Sequence, residues 1–512
     1  MEIKQKEFFL KGFIYLFIAN IICLFLGYIR DLFILKNFGI SNITDAWYLV
    51  SNIPELIFKF TFLSAFLASF IPLFVEYLKQ NEKEAWIIAS SVINLSFIFL
   101  IILVILGIFF SDFLVFIFSP GFDKNTHQVA VKLLKIILPI VIFMTICGIL
   151  ESIYRSYFNY FLTALSQIIN SSIILIFIIF YINKIGVFSV ALGTLFGFFF
   201  SFFILFLFIF IYKKPYRFII DFKNKAIKKI FNLAIPLVLA DMIGKSIGAV
   251  DKFFASFLDK GSIVSLSMAY RIINFPLIFF STTIGIAIFP VFAHNVFNKD
   301  EFKKLVGIFV KFSFLLMIPV FLIFIVLGKD IISLLFGYGK FTYKDSTVLF
   351  RLIVLLSPTL FLFSIRQILI NACYSLKKGW VIFNYELIGF ILNILLDYIL
   401  MRYFGIYGIA LATSFVAIIC LGYLFYIFRE YFDYKINLFL LKIIFASLIA
   451  GIYIFFGFNL LKVLIQFKII TLFFIILTSV FFYLFILKIL RIEELSLLWE
   501  TIKTSILKKQ TY

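Results

Sequence analysis

Charged side chains are scarce in this chain of 512 residues, where they make up 14% of the sequence, against about 25% in an average soluble domain. Histidine occurs only twice, and each of the four cysteines stands alone within an apolar stretch. The sequence therefore offers neither the ligand spacing of a metal site nor a disulfide framework. It has instead a hydrophobic fraction of 64%, which is typical of an integral membrane protein.

Lysine and arginine nevertheless outnumber aspartate and glutamate, and the formal net charge is +20. The cations are concentrated in every second segment between apolar runs, as the positive-inside rule describes for cytoplasmic loops. This pattern argues against nucleic-acid binding and predicts that both termini are cytoplasmic. The segments assigned to the cytoplasm are 4–11, 79–83, 213–229, 299–304, 377–378, 429–435 and 503–509.

Long apolar runs dominate the chain, and a spanning helix needs about 20 such residues. The runs do not alternate as membrane strands would, so the sequence predicts an all-α integral membrane fold with fourteen transmembrane helices. The first run lacks a small-residue cleavage site and is expected to remain as a helix. The fourteen runs are 10–36, 45–77, 84–110, 129–156, 160–182, 186–212, 227–257, 262–294, 304–327, 346–374, 380–401, 405–429, 436–457 and 467–490.

An internal repeat divides these helices into two sets of six. Phe122, Pro139 and Thr194 recur as Phe341, Pro358 and Thr413, always 219 residues later (341 − 122 = 219). Because each set holds six helices, both enter the membrane from the same side, which makes them parallel repeats of the kind found in transporters. We predict four parts: an N-lobe at 1–220, a C-lobe at 221–432, two extra helices at 433–490, and a cytoplasmic interfacial helix or tail at 491–512.

Charges interrupt the apolar runs between Cys23 and Tyr77. They are Arg30, Asp31, Asp45, Glu55 and Lys59, and Pro54 and Pro72 break the helices close by. An ionised side chain at membrane depth normally faces a partner or a water-filled cavity. The stretch is interpreted as the wall of a transport pathway, and the alternative is a set of structural ion pairs inside the bundle.

The second half also carries charges within its apolar runs. Arg271 precedes Pro276, with no acidic residue within one helical turn in the sequence, and its planar guanidinium suits the oxygens of a phosphate. Asp241 and Lys245 stand four residues apart and are expected to pair with each other. The sequence assigns no role to Arg351, Arg366, Glu386 and Asp397. The basic segment 213–229 suits either the anionic inner leaflet or a plain linker.

Several motifs resemble the lipid II flippases called MurJ or MviN, members of the multidrug/oligosaccharidyl-lipid/polysaccharide exporter superfamily. The motifs are LGYIRDLFILKNFG (26–39), TDAWYLVSNIPELI (44–57), FIPLFVEY (70–77), SPGF (119–122), FASFL (254–258), AYRIINFP (269–276) and LFGYGKF (335–341). The resemblance implies two lobes around a central cavity, and a groove on the last two helices for a polyprenyl tail.

The resemblance also implies a function and a site. Family members move undecaprenyl-pyrophosphate-linked disaccharide-pentapeptide from the inner to the outer leaflet of the bacterial cytoplasmic membrane for peptidoglycan synthesis. The implied substrate-binding positions are Arg30, Asp31, Asp45 and Arg271. The chain departs from the family pattern at Cys23-Leu24, Leu63-Ser64 and Phe58. The last of these replaces an arginine of the second helix, and Lys59 is a candidate substitute for it.

Other functions remain open at this stage. The chain could export another lipid-linked oligosaccharide, or it could be a cation-coupled drug antiporter. A membrane scaffold would not need repeated proline breaks beside charges. We expect no enzymatic activity and no cofactor, with transport coupled to the membrane potential or to a monovalent cation. The expected partners are lipid II and membrane lipids, and the protein is expected to be a monomer that contacts cell-wall synthesis proteins transiently.

Overall fold

The computed structural model describes residues 2–60, 74–219, 242–280, 286–376, 378–431, 436–464 and 468–492. Within these ranges the regular structure is helical and includes no β-strand. The chain forms two compact units, Met1–Val264 together with Tyr338–Phe341, and Ser265–Gly337 together with Thr342–Tyr512. The boundaries predicted at 220 and 432 stay a prediction.

The first unit is built from long helices and shorter, broken ones. Residues 74–80 and 242–255 are also helical. The other helices are α1 (Glu2–Phe38), α2 (Asn42–Val50), α3 (Ile53–Phe60), α4 (Glu82–Phe109), α5 (Ser111–Phe118), α6 (Lys124–Ile137), α7 (Ile140–Ser156), α8 (Tyr160–Ile185) and α9 (Phe188–Ile211).

The second unit is also built from long helices and shorter ones. Its helices are α10 (Ser262–Phe280, whose first three residues belong to the first unit), α11 (Ile286–Asn295), α12 (Lys299–Phe336), α13 (Tyr343–Leu356), α14 (Thr359–Ser375), α15 (Gly379–Phe404), α16 (Ile406–Ile427), α17 (Ile436–Leu464) and α18 (Lys468–Ile489).

Eleven helices in the described part are long and apolar enough to cross a membrane, or twelve if the bent pair α13 and α14 forms one span. These twelve coincide with predicted runs, so the all-α membrane fold is confirmed. The two remaining runs, 45–77 and 227–257, cross residues 61–73 and 220–241, which lie outside the described ranges. The count of fourteen therefore stays a prediction.

The helix bounds repeat with the spacing found in the sequence. Adding 219 to the bounds of α6, α7 and α8 gives the bounds of α13, α14 and α15. The glycine that ends the third helix of each set, Gly186 or Gly405, has a φ of +61° or +56°. This backbone region is costly for residues with a Cβ, so glycine is suited to both positions.

The beginning of segment 213–229 folds back along α4. The Arg217 N–H donates to the Ser90 hydroxyl at 3.2 Å, and the Asn94 amide donates to the backbone oxygens of Arg217 and Ile219 at 3.2 and 3.0 Å. The Tyr216 hydroxyl donates to Asn94 at 2.6 Å. Residues 214–219 are therefore a packed segment on the N-terminal half of α4, and residues 220–229 lie outside the described ranges.

Helices α17 and α18 pack on α12 in the second unit. Their cores include Leu315 with Tyr483 and Leu327 with Ile475, and Lys468 forms an ion pair with Asp330 at 3.0 Å. The predicted groove for a lipid tail stays a prediction. Of the predicted interfacial segment 491–512, all but its first two residues lies outside the described ranges.

Candidate functional site

The turn between α1 and α2 brings two of the predicted residues next to Tyr48. Gly39, with a φ of +63°, follows the end of α1, and Ser41 begins α2 in a capping box with Thr44. Because α2 turns back along α1, the Tyr48 hydroxyl donates to the carboxylate of Asp31 at 3.2 Å.

Asp31 is buried with 1% of its side chain exposed, and its Oδ1 also accepts from Arg30 Nε at 3.2 Å. The contact fixes the carboxylate and holds the guanidinium in one orientation. Arginine carries five N–H donors, so one bond to Asp31 leaves it able to bind an anionic ligand as well. The geometry is compatible with both sequence interpretations. The contact with Asp31 is a structural ion pair, and the 21% of the arginine side chain that is exposed is accessible from a transport pathway.

Asp45 contacts backbone at the start of another helix. Its carboxylate accepts from the N–H of Gly261 at 2.5 Å and from the N–H of Val264 at 2.8 Å. Gly261 immediately precedes α10 and Val264 lies in its first turn, where backbone N–H groups lack intrahelical partners. The negative charge also suits the positive end of the helix dipole. Asp45 therefore caps α10.

A cavity of about 340 Å³ lies beside α3 in the first unit. Among the described residues that line it, Glu55 is the only charged one, and most of the others are apolar. Lys59 is on α3, but its side chain lies outside the described part of the structure. The lining residues are Ser51, Pro54, Glu55, Phe58, Ile137, Ile140, Met144, Thr194 and Phe198.

The helix at 242–255 adds two cations that the sequence interpretation did not include among the site residues. Lys252 Nζ donates to the backbone oxygen of Tyr48 at 2.8 Å. Lys245 Nζ lies 3.9 Å from Glu55 Oε1. Asp241, its expected partner, lies outside the described ranges. The sequence signal was the seven-residue spacing of the two lysines, which places them on one helical face.

Arg271 belongs to the second unit and is exposed on α10, nine residues after the first residue of that helix. The structure thus brings Arg30 and Asp31 into contact and places Asp45 at a helix cap. The role of Arg30, Asp31, Asp45, Lys59 and Arg271 in substrate binding stays a prediction.

Arg366 and Glu386, to which the sequence assigned no role, form an ion pair in the second unit. The Arg366 guanidinium donates to Glu386, which is buried, and lies 5.1 Å from the centre of the Tyr385 ring. Arg351 lies 6.0 Å from the Tyr407 ring. Arg366 and Glu386 therefore join α14 to α15.

The family model of the lipid II flippase MurJ matches residues 34–488 of the chain. The chain belongs to this MurJ family. The matched region includes the α1–α2 turn, the α3 cavity, the cap at α10 and both C-terminal helices. The family resemblance seen in the sequence motifs is thereby confirmed.

Relatives and solved structures agree with the MurJ assignment. A probable lipid II flippase MurJ of Buchnera aphidicola subsp. Baizongia pistaciae is 30% identical, over 93% of this chain and 96% of the relative. One of Thermotoga maritima is 27% identical, over 92% of this chain and 94% of the relative. A solved lipid II flippase MurJ in an inward closed conformation has a TM-score of 0.80 and 27% identity, covering 93% of this chain and 98% of that structure.

Proposed function

We propose that this chain translocates lipid II, the undecaprenyl-pyrophosphate-linked disaccharide-pentapeptide, from the inner to the outer leaflet of the bacterial cytoplasmic membrane. The observation that carries the proposal is the MurJ family match over residues 34–488. It is supported by a multi-pass helical fold in which Arg30 and Asp31 lie within a helix long and apolar enough to cross a membrane. The activity is transport through alternating access, without chemical change of the substrate.

The α1–α2 turn supplies a group suited to the diphosphate of this substrate. Asp31, whose carboxylate also accepts from the Tyr48 hydroxyl, holds Arg30 from one side, so the guanidinium loses less conformational freedom when it binds an anion. Its fork matches the geometry of phosphate oxygens. Arg30 and Arg271 each contact the diphosphate during the transport cycle, and Asp45 keeps the start of α10 in place.

The remaining parts of the proposal come from the sequence patterns and from the family resemblance. The polyprenyl tail is expected to lie along α17 and α18, and transport is coupled to the membrane potential or to a monovalent cation. Lipid II and membrane lipids are the partners, the chain acts as a monomer with transient contacts to cell-wall synthesis proteins, and both termini are cytoplasmic.

Depletion of the cell's lipid II flippase, with this chain expressed in its place, tests the function. We expect growth to continue, and lipid II to reach the outer leaflet as measured by its accessibility to an externally added enzyme. Arg271→Ala should reduce this transport by roughly one to two orders of magnitude, because a hydrogen bond to a charged group contributes about 1.5–3 kcal/mol.

Matched variants distinguish loss of the contact between Arg271 and the substrate from a lower amount of protein in the membrane. Arg271→Lys should restore part of the transport, because it keeps the charge without the fork, and the exposed Lys260→Gln should transport like the parent. All variants are compared at equal abundance in the membrane. Lipid II that stays in the inner leaflet with the parent chain would overturn the function. Full transport by Arg271→Ala would remove Arg271 from the site.

A further inference from the structure

Two lysines on one face of helix 242–255 differ in their surroundings. Lys252 is partly buried and its ammonium donates to the backbone of α2 at Tyr48, so it holds two elements of the first unit together. The Lys245 side chain is 53% exposed, as is that of Glu55, its partner at 3.9 Å. The two cations therefore have different tasks, and Lys245 is the accessible one.

The position of Lys245 along its helix requires an explanation. It lies ten residues before Ala255, the last residue of helix 242–255, which is about 15 Å of helix, and the apolar run 227–257 that contains it is predicted to cross the membrane. A cation there normally faces a partner or a water-filled cavity. An exposed ion pair contributes little to the free energy of folding. That contribution is smaller than the free-energy cost of inserting a lysine into a membrane span. Pairing with Glu55 alone is therefore a poor reason for a lysine at this position.

The location of Glu55 indicates what Lys245 faces. Glu55 lines the 340 Å³ cavity beside α3, and Phe58, one helical turn further on, lines it too. Through its contact with Glu55, Lys245 thus brings a positive charge next to a residue that lines this cavity. Its ammonium carries three N–H donors. These donors can leave the Glu55 carboxylate and form hydrogen bonds with the oxygens of an anionic ligand instead.

We propose that Lys245 is a substrate-contacting residue that binds the diphosphate group, with Glu55 as the partner that the substrate displaces. This inference rests on the proposed function, because it takes the diphosphate of lipid II as the ligand. It assigns to helix 242–255 a direct part in substrate selection. It also explains why an acidic and a basic side chain are both half-exposed beside an apolar cavity.

Binding measurements on the purified full-length chain in detergent test the proposal. The probes are lipid II, undecaprenyl diphosphate and undecaprenyl monophosphate, with dissociation constants measured by native mass spectrometry. Lys245→Gln should weaken undecaprenyl diphosphate binding about tenfold or more and affect the monophosphate less. Lys245→Arg should restore most of the affinity. Glu55→Gln should tighten binding, because it removes the competing carboxylate.

The control is Lys260→Gln, an exposed lysine in the segment after the same helix, which should bind all three probes like the parent. A folded Lys245→Gln protein that binds diphosphate like the parent would overturn the proposal. If Lys245→Gln does not fold, Glu55→Gln tests the proposal instead. Unchanged affinity of that variant for undecaprenyl diphosphate, together with a lower melting temperature, would show that Lys245 and Glu55 form a structural pair and would overturn the proposal. A parent chain that does not bind lipid II overturns the proposed function, and this inference with it.

Discussion

At the scale of single residues, the sequence patterns identified unusual charged residues, but they did not identify the contacts that these residues make. The charges of the opening stretch were identified because they interrupt apolar runs, and the structure brings Arg30 and Asp31 into contact. The seven-residue spacing of Lys245 and Lys252 is present in the sequence too, but it was not used to predict a site. Their partners Glu55 and Tyr48 are about 200 residues away in the sequence, so only tertiary packing could show them.

Asp45 provides a prediction at this scale. It caps α10 through two backbone N–H groups and is 4% exposed. Asp45→Ala leaves those donors without their acceptor, and we expect the free energy of unfolding to fall by about 2 kcal/mol. Asp45→Asn keeps one acceptor oxygen and should lose less. Thermal unfolding of the purified protein measures the effect.

Asp259→Asn is the matched control for this cap, because Asp259 lies two residues before Gly261 and its side chain is exposed. It should melt like the parent. An Asp45→Ala protein that melts like the parent would show that the carboxylate does not stabilise α10, and would direct attention to a role for Asp45 in transport alone.

At the scale of helices and loops, the sequence was a reliable guide wherever its signal was local. Twelve of the predicted spans coincide with helices, because a long apolar run determines a membrane helix almost by itself. The offset of 219 residues found in the sequence also relates the bounds of helices in the two sets. The breaks within helices, such as the one between α13 and α14, depend on packing and were placed inside a single predicted run.

Two related loops pack against helix ends in the first unit, and they allow a prediction for these elements. The Gly121 N–H donates to the Ser256 hydroxyl at 3.2 Å, and the Lys340 N–H donates to the backbone oxygen of Lys36 at 3.0 Å. The positions are related by the repeat, since 340 − 121 = 219. In each loop a glycine lies so close to the opposing backbone that a Cβ would collide with it.

Gly339→Ala should therefore destabilise the protein. Gly339 has a φ of +67°, and the added Cβ would meet the backbone of Lys36, so we expect a loss of about 1–3 kcal/mol from strain. Gly27→Ala in α1 meets nothing within 4 Å and should stabilise by about 0.5–1 kcal/mol, because alanine favours helix. Melting temperatures should move in opposite directions. A change in the same direction in both variants would contradict the packing described for the loop.

At the scale of the whole molecule, the distribution of charge predicts orientation, whereas packing within one unit does not determine it. The segment 213–229 carries seven basic residues, and the positive-inside rule places such a cluster on the cytoplasmic side. Residues 256–261, between helix 242–255 and α10, follow one predicted membrane crossing later. They should therefore lie on the outer side.

Cysteine labelling in intact cells tests this orientation. Of the native cysteines, Cys147, Cys373 and Cys420 are buried and Cys23 is half-buried, so a Cys23→Ser background should label weakly. In that background, Lys223→Cys should resist a membrane-impermeant thiol reagent until the cells are permeabilised, because its segment is predicted to face the cytoplasm. Lys260→Cys, at an exposed position, should label without permeabilisation. Labelling of Lys223→Cys in intact cells, with Lys260→Cys protected, would reverse the orientation and place the basic cluster on the outer face.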